Sequence, residues 1–354
     1  MIHVDGSQGE GGGQIVRSSL ALSLVTGRPV TITRIRAGRK KPGLLKQHLT
    51  AVRAAAEISE ATVDGDRLGA ERLVFRPGPV RPGAYTFRIG TAGSTTLVFQ
   101  TVLPALMLAE GPSHLFLEGG THNAWAPPFD FLKTTFLPCL AMTGPRVDVV
   151  LERYGFFPAG GGRFRATVAP ARSMRRLELL EATPTGDPRV RVVVARLPEA
   201  IGWRECRTIT RALGWDESVA EVETVNDSSG PGNVVMIVRR FGRVTELFTG
   251  FGRRGLPAEK VAEEVVRQYR RHETAGVPVG EHLADQLLLP LALAASREKA
   301  TSRFKTLSLS RHAETQIDLI PLFLDVHFEV RSEAEDVVCV RVGPGTAQSS
   351  AASD

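Results

Sequence analysis

The chain has too few cysteines for a disulfide framework. Only three of its 354 residues are cysteine, namely Cys139, Cys206 and Cys339, and they are odd in number and far apart. No Cys-x-x-Cys pair and no His-Glu-x-x-His spacing is present, so a structural zinc site is not indicated either. This cysteine usage fits a reducing compartment, and we predict a cytoplasmic location.

Long apolar runs are also missing. The longest, at residues 287–295, is too short to span a bilayer. The N-terminus begins like a β-strand, without the basic and then apolar segments of a secretory signal. We therefore expect neither secretion nor a membrane partner.

Acidic residues are slightly outnumbered by basic ones. Lys and Arg total 44 against 38 Asp and Glu, which gives a net charge of +6 and a sequence pI near 9.5. A polyanionic partner is compatible with this balance, and so is a generally basic surface. The length predicts more than one domain, and an apolar share of 42% is enough to fill their cores.

A glycine-rich loop lies near the N-terminus, between a short predicted strand and a helix. Residues 5–14 read Asp-Gly-Ser-Gln-Gly-Glu-Gly-Gly-Gly-Gln, and apolar residues at helical spacing follow at once. Such a loop can bind anions, because its backbone N–H groups approach closely and the helix dipole adds positive charge. The loop matches neither common phosphate-binding glycine motif, and Glu10 would repel a phosphate unless a metal ion or Arg17 intervenes. An anion site and a plain tight turn both stay open here.

Internal similarity predicts three repeated β/α units. Residues 100–109 and 286–295 share Gln, Leu, Pro and a closing Ala, and each segment follows a glycine-containing turn. The loop and helix at residues 9–27 form a looser third copy. Pro104 and Pro290 fall inside predicted helices and should kink them. The predicted fold is α/β (α+β), with helices packed on the sheet of each unit.

The pattern changes in the third unit, where a small α/β domain is predicted as an insertion at residues 184–276. Valine-rich strands and two amphipathic helices alternate there, and we assign this segment no catalytic role. The main domain is then residues 1–183 and 277–342. The small and polar residues 343–354 are expected to be a disordered tail.

A basic turn follows the second predicted strand. Arg36 and Arg39 lie between a strand end and a helix start, where a phosphate clamp or a solvated surface would each fit. Gln47 and His48 come next, and either could act at a site or cap the helix.

His312 is the histidine best placed for chemistry. The sequence predicts it in a loop between a strand at 303–307 and an apolar run at 317–323. Asp285 and Gln286 open the third buried helix, where a carboxylate could equally serve as a cap.

Four motifs together resemble the RNA 3′-terminal phosphate cyclase family. They read Gly9-Glu-Gly-Gly-Gly-Gln-Ile-Val-Arg17, Arg36-Ala-Gly-Arg-Lys-Lys-Pro-Gly-Leu-Leu-Lys-Gln-His48, Gly155-Phe-Phe-Pro-Ala-Gly-Gly-Gly162 and Gly280-Glu-His-Leu-Ala-Asp-Gln286. The resemblance runs from about residue 2 to about residue 342, and the Pro-x-Gly-Gly-Gly turn is the family signature. It implies three β/α repeats with a thioredoxin-like domain inserted in the third.

The resemblance also implies a reaction in three steps that uses ATP and RNA with a 3′-phosphate end. His312 matches the nucleophile that takes AMP from ATP, giving an enzyme-(histidinyl)-AMP. The AMP then passes to the RNA 3′-phosphate to form RNA(3′)pp(5′)A. Attack by the neighbouring 2′-hydroxyl finally expels AMP and leaves a 2′,3′-cyclic phosphate.

The family pattern assigns roles to the other motif residues. Glu10 matches the position that binds Mg²⁺ or Mn²⁺. Phosphates of ATP or of the RNA end are expected at Arg17, Arg36, Arg39, Gln47 and His48. The nucleotide site is expected at Gln100, Pro127, His282, Asp285 and Gln286. His282 stands where the family often has a tyrosine.

Two alternative functions are open to a protein with these features. The first is a non-catalytic ribosome biogenesis factor of the same fold, but that branch lacks the nucleophilic histidine, and His312 argues against it. The second is a small-molecule transferase such as an enolpyruvyl transferase, which the glycine turn and the basic loop disfavour. The oligomeric state is left open, with a homodimer as one option.

Overall fold

The computed structural model describes residues 1–345, and these residues form an α/β protein with four mixed sheets of four strands each. The α/β class expected from the sequence is confirmed. Among the described residues, no helix has the length and apolar character required to cross a membrane.

The first sheet is built from the N-terminal 76 residues. Its elements are β1 (Ile2–Asp5), α1 (Gly13–Thr26), β2 (Val30–Thr33), α2 (Lys46–Glu57), β3 (Thr62–Asp64) and β4 (Leu73–Arg76). The strand order is β1-β2-β4-β3, with β1 and β2 parallel and the other pairs antiparallel. Helix α1 provides the parallel crossover, and ten of its residues are buried.

The second sheet follows with the order β5-β6-β8-β7. Its elements are β5 (Ala84–Arg88), α3 (Thr95–Leu106), β6 (Ser113–Gly119), a helical segment, β7 (Arg146–Arg153) and β8 (Gly162–Ala169). The helical segment is continuous and consists of α4 (Phe129–Phe131), a π-helical turn (Leu132–Phe136) and α5 (Leu137–Met142).

After β9 (Glu178–Leu179) the chain builds a further sheet before it completes the third one. The elements of this segment are β10 (Pro184–Ala195), α6 (Ala200–Leu213), β11 (Ala220–Val225), β12 (Gly232–Phe241), β13 (Val244–Phe251) and α7 (Ala258–Ala275). The strand order is β11-β10-β12-β13. One face of this sheet buries its own apolar cluster against α6 and α7, which includes Val192, Ile209 and Val265.

The chain then returns and completes the sheet that β9 began. The elements are α8 (Glu281–Glu298), β14 (Ser302–Leu307), α9 (Arg311–Leu319), β15 (Val326–Ala334) and β16 (Val337–Pro344). The order is β9-β14-β16-β15, with β9 and β14 parallel and the other pairs antiparallel. Three of the four sheets therefore share one strand order and one pairing pattern.

The tail was predicted to begin at residue 343, and this start is wrong. Gly343 and Pro344 belong to β16 and pair with His327 and Val326 of β15. Glycine and proline disfavour strands in isolation, but a neighbouring strand supplies the pairing that overrides this preference. Residues 346–354 of the predicted tail lie outside the described residues.

Helices α1, α3 and α8 meet in one large apolar core. They are buried almost all round rather than along one stripe, as expected for helices enclosed by sheets and by each other. Pro104 and Pro290 lie inside α3 and α8, as predicted. The N-terminal ends of these helices are the places where polar residues gather.

A partly buried ionic network joins the sheet of β10 to β13 to the second sheet and its helical segment. Asp130 of α4 accepts a hydrogen bond of 2.7 Å from Nε2 of His122, and its other oxygen pairs with Arg191 of β10. Arg191 also donates to the hydroxyl of Tyr154 at 2.7 Å and pairs with Glu223 of β11. The segment that carries Asp130 is thus fixed from both sides of the junction.

Replacing Asp130 with Asn should destabilise the protein in a pH-dependent way. Burial by itself raises the pKa of Asp130, but the contacts with His122 and Arg191 outweigh it and lower the pKa from 3.8 to about 2. The ionised carboxylate therefore stabilises the fold above pH 4, and this stabilisation is lost as the pH falls toward 2. We expect Asp130→Asn to lower the free energy of unfolding by about 2–4 kcal/mol at pH 7, and by about half as much at pH 3.

Denaturant titration of the wild type and the variant at both pH values measures this difference. Asp227→Asn is the matched control, because Asp227 is an exposed carboxylate whose ion pair with Arg153 should contribute at most about 1 kcal/mol. An Asp130→Asn loss no larger than that of the control would contradict the role of the network.

Candidate active site

A cavity of about 620 Å³ is lined by the N-terminal halves of α1 and α8 and by the length of α3. The start of α9, the strand β13, the basic loop with the start of α2, and residues between 124 and 140 form the rest of its wall. The cavity brings together all twelve site residues predicted from the sequence. They are Glu10, Arg17, Arg36, Arg39, Gln47, His48, Gln100, Pro127, His282, Asp285, Gln286 and His312.

The glycine loop lies directly on this cavity. Gly9 and Gly11 have φ of +56° and +63°, a left-handed conformation that side chains disfavour. Gly13 begins α1 so close to the His48 ring that a Cβ atom would collide with its Nε2. No side chain caps the start of α1. Its first backbone N–H groups therefore have no capping side chain, and they lie at the end of the helix that borders the cavity.

Glu10 presents a carboxylate oxygen that lacks a partner. Its backbone N–H donates to Oγ1 of Thr315 at 3.0 Å, and its Oε1 pairs with Arg39. The other oxygen, Oε2, is buried, lies 3.9 Å from Nδ1 of His312 and has no hydrogen-bond partner among residues 1–345. Over the same residues, no cluster of three or more His, Cys, Asp or Glu side chains could hold a metal by itself.

His312 is the second residue of α9, so its predicted position in a loop is wrong. The helix begins earlier than the apolar pattern indicates, because Ser310 caps it by accepting from the N–H of Ala313 at 3.1 Å. A hydrogen bond of 2.6 Å joins Nδ1 of His312 to Oε1 of Gln14. An amide oxygen only accepts, so Nδ1 carries the proton and Nε2 keeps its lone pair.

The charges around His312 favour its neutral form. Burial lowers the pKa of His312, and the positive charge of Arg17 lowers it further. Burial also lowers the pKa of Arg17, to about 10, but this guanidinium is still charged at neutral pH. A neutral imidazole with a free lone pair, next to a fixed positive charge, is suited to attack an electrophile that carries negative oxygens.

His48 is held neutral as well. Its Nδ1 accepts the backbone N–H of Leu45 at 3.2 Å, which leaves Nε2–H as a donor beside Gly13. Burial lowers the pKa of His48 to about 3, and Arg17 and Arg36 contribute to the shift. His48 can therefore donate a hydrogen bond to an anion without adding a charge.

Arg36 both lines the cavity and fixes the basic loop. Its Nη1 donates to the carbonyl oxygens of Lys41 and Gly43 at 2.6 and 2.9 Å. Arg39 instead reaches across to Glu10, where it contacts both the carboxylate and the backbone oxygen. Arg39 is thus free to exchange one anionic partner for another, whereas Arg36 is needed for the shape of its loop.

Three glutamine side chains and the carboxyl group of Asp285 also line the cavity. The side chains of Gln100 and Gln286 hydrogen-bond each other across α3 and α8, and Oε1 of Gln47 accepts the N–H of Ser94 at 2.6 Å. Asp285 accepts a hydrogen bond of 3.2 Å from the hydroxyl of Ser310, so it links α8 to the cap of α9.

Apolar residues that the sequence did not single out form the rest of the wall. These include Trp125 and Phe131 from the loop and α4, and Leu247 and Phe251 from β13. The sheet of β10 to β13 therefore contributes to the cavity, although no catalytic role was assigned to this segment from the sequence. Gln14 was also missed, because the sequence gives no sign that it meets His312, 298 residues away.

The chain matches the RNA 3′-terminal phosphate cyclase family over residues 8–330. An RNA 3′-terminal phosphate cyclase of Koribacter versatilis is 49% identical over 346 residues, which cover 98% of this chain and 95% of the relative. A protein of the same name from Ralstonia nicotianae is 47% identical over 344 residues, with 96% of each chain covered. The solved enolpyruvyl transferase NikO from Streptomyces tendae aligns with 48% of this chain and 33% of its own, at 21% identity and a TM-score of 0.27.

Replacing Asp285 with Asn should stabilise the protein at alkaline pH. Burial raises the pKa of Asp285 from 3.8 to about 7, so the ionised form costs stability above that pH and the cost is nearly absent at pH 4. Allowing for partial exposure, we expect Asp285→Asn to raise the free energy of unfolding by on the order of 2 kcal/mol at pH 8, with little change at pH 4.

Thermal or denaturant unfolding at the two pH values provides the measurement. Asp318→Asn serves as the control, because Asp318 is an exposed carboxylate on α9 outside the cavity. Equal effects of Asp285→Asn at pH 4 and pH 8 would show that the carboxyl group is not destabilised by its surroundings.

Proposed function

The chain belongs to the RNA 3′-terminal phosphate cyclase family, and from this premise we propose that it converts an RNA 3′-phosphate to a 2′,3′-cyclic phosphate with consumption of ATP. The observation that carries the proposal is the environment of His312. This imidazole lies in one cavity with the basic, amide and acidic residues expected to bind ATP and the RNA end, and Gln14 leaves its Nε2 free to attack.

In the first proposed step, Nε2 of His312 attacks the α-phosphorus of ATP. A P–N bond forms as the P–O bond to pyrophosphate breaks, and His312 is left carrying AMP. Arg17 and Arg39 are placed to offset the negative charge that develops on the phosphoryl oxygens, and His48 offers a neutral N–H donor.

The next two steps move AMP onto and off the RNA. An oxygen of the RNA 3′-phosphate attacks the phosphorus of the adenylate, which breaks the P–N bond and frees His312. The adjacent 2′-hydroxyl then attacks the 3′-phosphorus and AMP leaves. Covalent transfer divides one difficult displacement into easier ones, because AMP is a far better leaving group than an oxide.

Ring closure benefits from proximity and restricts the substrate. The attacking hydroxyl and the phosphorus belong to one ribose, and well-aligned intramolecular reactions reach effective molarities on the order of 10⁵ to 10⁸ M. DNA lacks the 2′-hydroxyl, so a DNA 3′-phosphate can be adenylylated at most and cannot cyclise.

Glu10 fits the role of a ligand for Mg²⁺ or Mn²⁺. Glu10 lines the cavity, and its buried Oε2 has no partner in the described part of the chain and lies 3.9 Å from Nδ1 of His312. Enzymes that act on nucleotides commonly hold Mg²⁺ with one or two carboxylates, and substrate phosphates and water complete the shell. Such an ion, when bound, would supply Lewis-acid neutralisation of phosphate charge.

We also propose that three sheets represent three copies of one β/α unit and that residues 184–276 are a thioredoxin-like insertion in the third. The common strand order of the three sheets supports the first part. The position of β10 to α7 between β9 and α8, with an apolar cluster of their own, supports the second. A cytoplasmic location and a homodimer stay predictions from the sequence and the resemblance.

Replacing His312 with Ala should abolish transfer of AMP to the protein. Incubation with α-³²P-labelled ATP and Mn²⁺ should give the wild type an adduct that is labile in acid and stable in alkali, as expected for a phosphoramidate. His327→Ala is the control, since His327 is exposed on β15 outside the cavity and should label normally. Undiminished labelling of His312→Ala would assign the nucleophile elsewhere, and absence of any adduct or cyclised RNA from the wild type would favour the non-catalytic alternative.

Replacing Arg39 with Ala should weaken turnover of 3′-phosphorylated RNA without unfolding the protein. Loss of one charged phosphate contact should lower kcat/KM by about 10- to 100-fold. Arg36→Ala should lower kcat/KM too, and should also lower the melting temperature because two hydrogen bonds in its loop are lost. Arg53→Ala is the control for both, because it removes an exposed arginine of α2 that pairs with Asp66. Wild-type kinetics in both cavity variants would remove the proposed phosphate clamp.

A further inference from the structure

Two exposed aromatic rings meet beside the cavity. Trp125 lies in the loop before α4 and lines the cavity, yet 77% of its surface is exposed. Phe157, from the glycine turn between β7 and β8, is 60% exposed. The ring centroids are 5.4 Å apart and the planes are nearly perpendicular, at 89°. We call these two side chains the aromatic pair.

The loop that presents Trp125 is fixed on both sides of the indole. The Asn123 side chain donates to the carbonyl oxygen of Ala92 at 2.7 Å, and the hydroxyl of Thr96 donates to the carbonyl oxygen of Pro127 at 2.8 Å. The N–H of Phe129 donates to the carbonyl oxygen of Thr121 at 2.9 Å. The exposed indole is therefore preorganised, so a partner would bind it with little loss of loop entropy.

The turn that presents Phe157 is fixed as well. The neighbouring Phe156 is buried against Gly232 of β12, where a Cβ atom would collide with its ring. The N–H of Gly160 donates to the carbonyl oxygen of Phe156 at 2.7 Å and closes the turn. Burial of one phenylalanine thus holds its neighbour out in solvent.

Large apolar side chains that are held rigid and exposed beside a site indicate binding. Single-stranded nucleic acids bind proteins by stacking their bases on exposed aromatic rings next to positively charged grooves. An edge-to-face pair covers at most one face of one ring, so faces of the aromatic pair are free to stack. The positive charge is present, because Arg36 and Arg39 line the same cavity.

We propose that the aromatic pair binds the single-stranded 3′ end of RNA by stacking on the base that precedes the terminal nucleotide. The inference rests on the proposed function, in which the terminal nucleotide enters the cavity. The rest of the strand must then leave through the mouth, and Trp125 lies on that path. Stacking does not read base identity, so this contact selects unpaired RNA ends with little preference for sequence.

The test measures binding of a fluorescent, unpaired RNA oligonucleotide with a 3′-phosphate in the absence of ATP. Trp125→Ala should raise its Kd roughly 5- to 100-fold, and Trp125→Phe should restore most of the affinity. Trp203→Ala is the control, because Trp203 is 40% exposed on α6 and does not line the cavity. Steady-state cyclisation should show the same change in KM with a smaller change in kcat.

An RNA that lacks the penultimate base makes the test specific. The wild type should bind this abasic RNA about as weakly as Trp125→Ala binds intact RNA. Removing the base should weaken binding by Trp125→Ala little further. Equal affinity of wild type and Trp125→Ala for intact RNA would overturn the proposal. It would also be overturned if the losses of affinity from Trp125→Ala and from removal of the base simply added. A change of oligomeric mass in Trp125→Ala would instead assign the aromatic pair to a protein contact.

The same experiment separates this inference from the proposed function. If the wild type neither forms an adenylate nor cyclises RNA, the proposed function fails. If the wild type cyclises RNA but Trp125→Ala binds and cyclises equally well, only the stacking proposal fails.

Discussion

The hydrogen bond between Gln14 and His312 is the contact on which the proposed chemistry of this protein depends. It joins the first turn of α1 to the first turn of α9, two helices from opposite ends of the chain. The bond sets the imidazole tautomer, and it forms only if α1 begins at Gly13 and Ser310 caps α9. The glycine loop is therefore both a tight turn and part of the site, because left-handed glycines bring the start of α1 to the cavity.

Charge is distributed so that the cavity attracts anions while its proposed nucleophile, His312, stays neutral. Arginines on α1 and on the basic loop bring positive charge to the wall, and burial together with that charge lowers the pKa of two of the cavity histidines, His48 and His312. Asp285 responds in the opposite direction, since burial raises its pKa to about 7. Such opposed shifts cost folding stability, and they are the usual mark of a site arranged for reaction rather than for packing.

The sequence predicted the structural features that the backbone preferences of neighbouring residues determine. The glycine loop, the buried helices with Pro104 and Pro290, and the basic loop could all be predicted, because glycine, proline and apolar runs constrain the backbone directly. Features that depend on contacts between distant segments could not be predicted. Gly343 and Pro344 form a strand only beside β15, and Trp125 and Phe157 meet only because two loops fold together. No local pattern reports such contacts.

The position of the covalent bond in the adenylylated protein shows whether Nε2 of His312 is the atom that attacks ATP. Histidine labelled with ¹⁵N would be incorporated into the chain, and ³¹P–¹⁵N correlation spectra would be recorded after incubation with ATP in neutral to alkaline buffer. One phosphorus resonance should be coupled to Nε2 of His312, because Gln14 occupies Nδ1. Coupling to Nδ1, or an adduct on any other side chain, would show that this hydrogen bond does not select the attacking nitrogen.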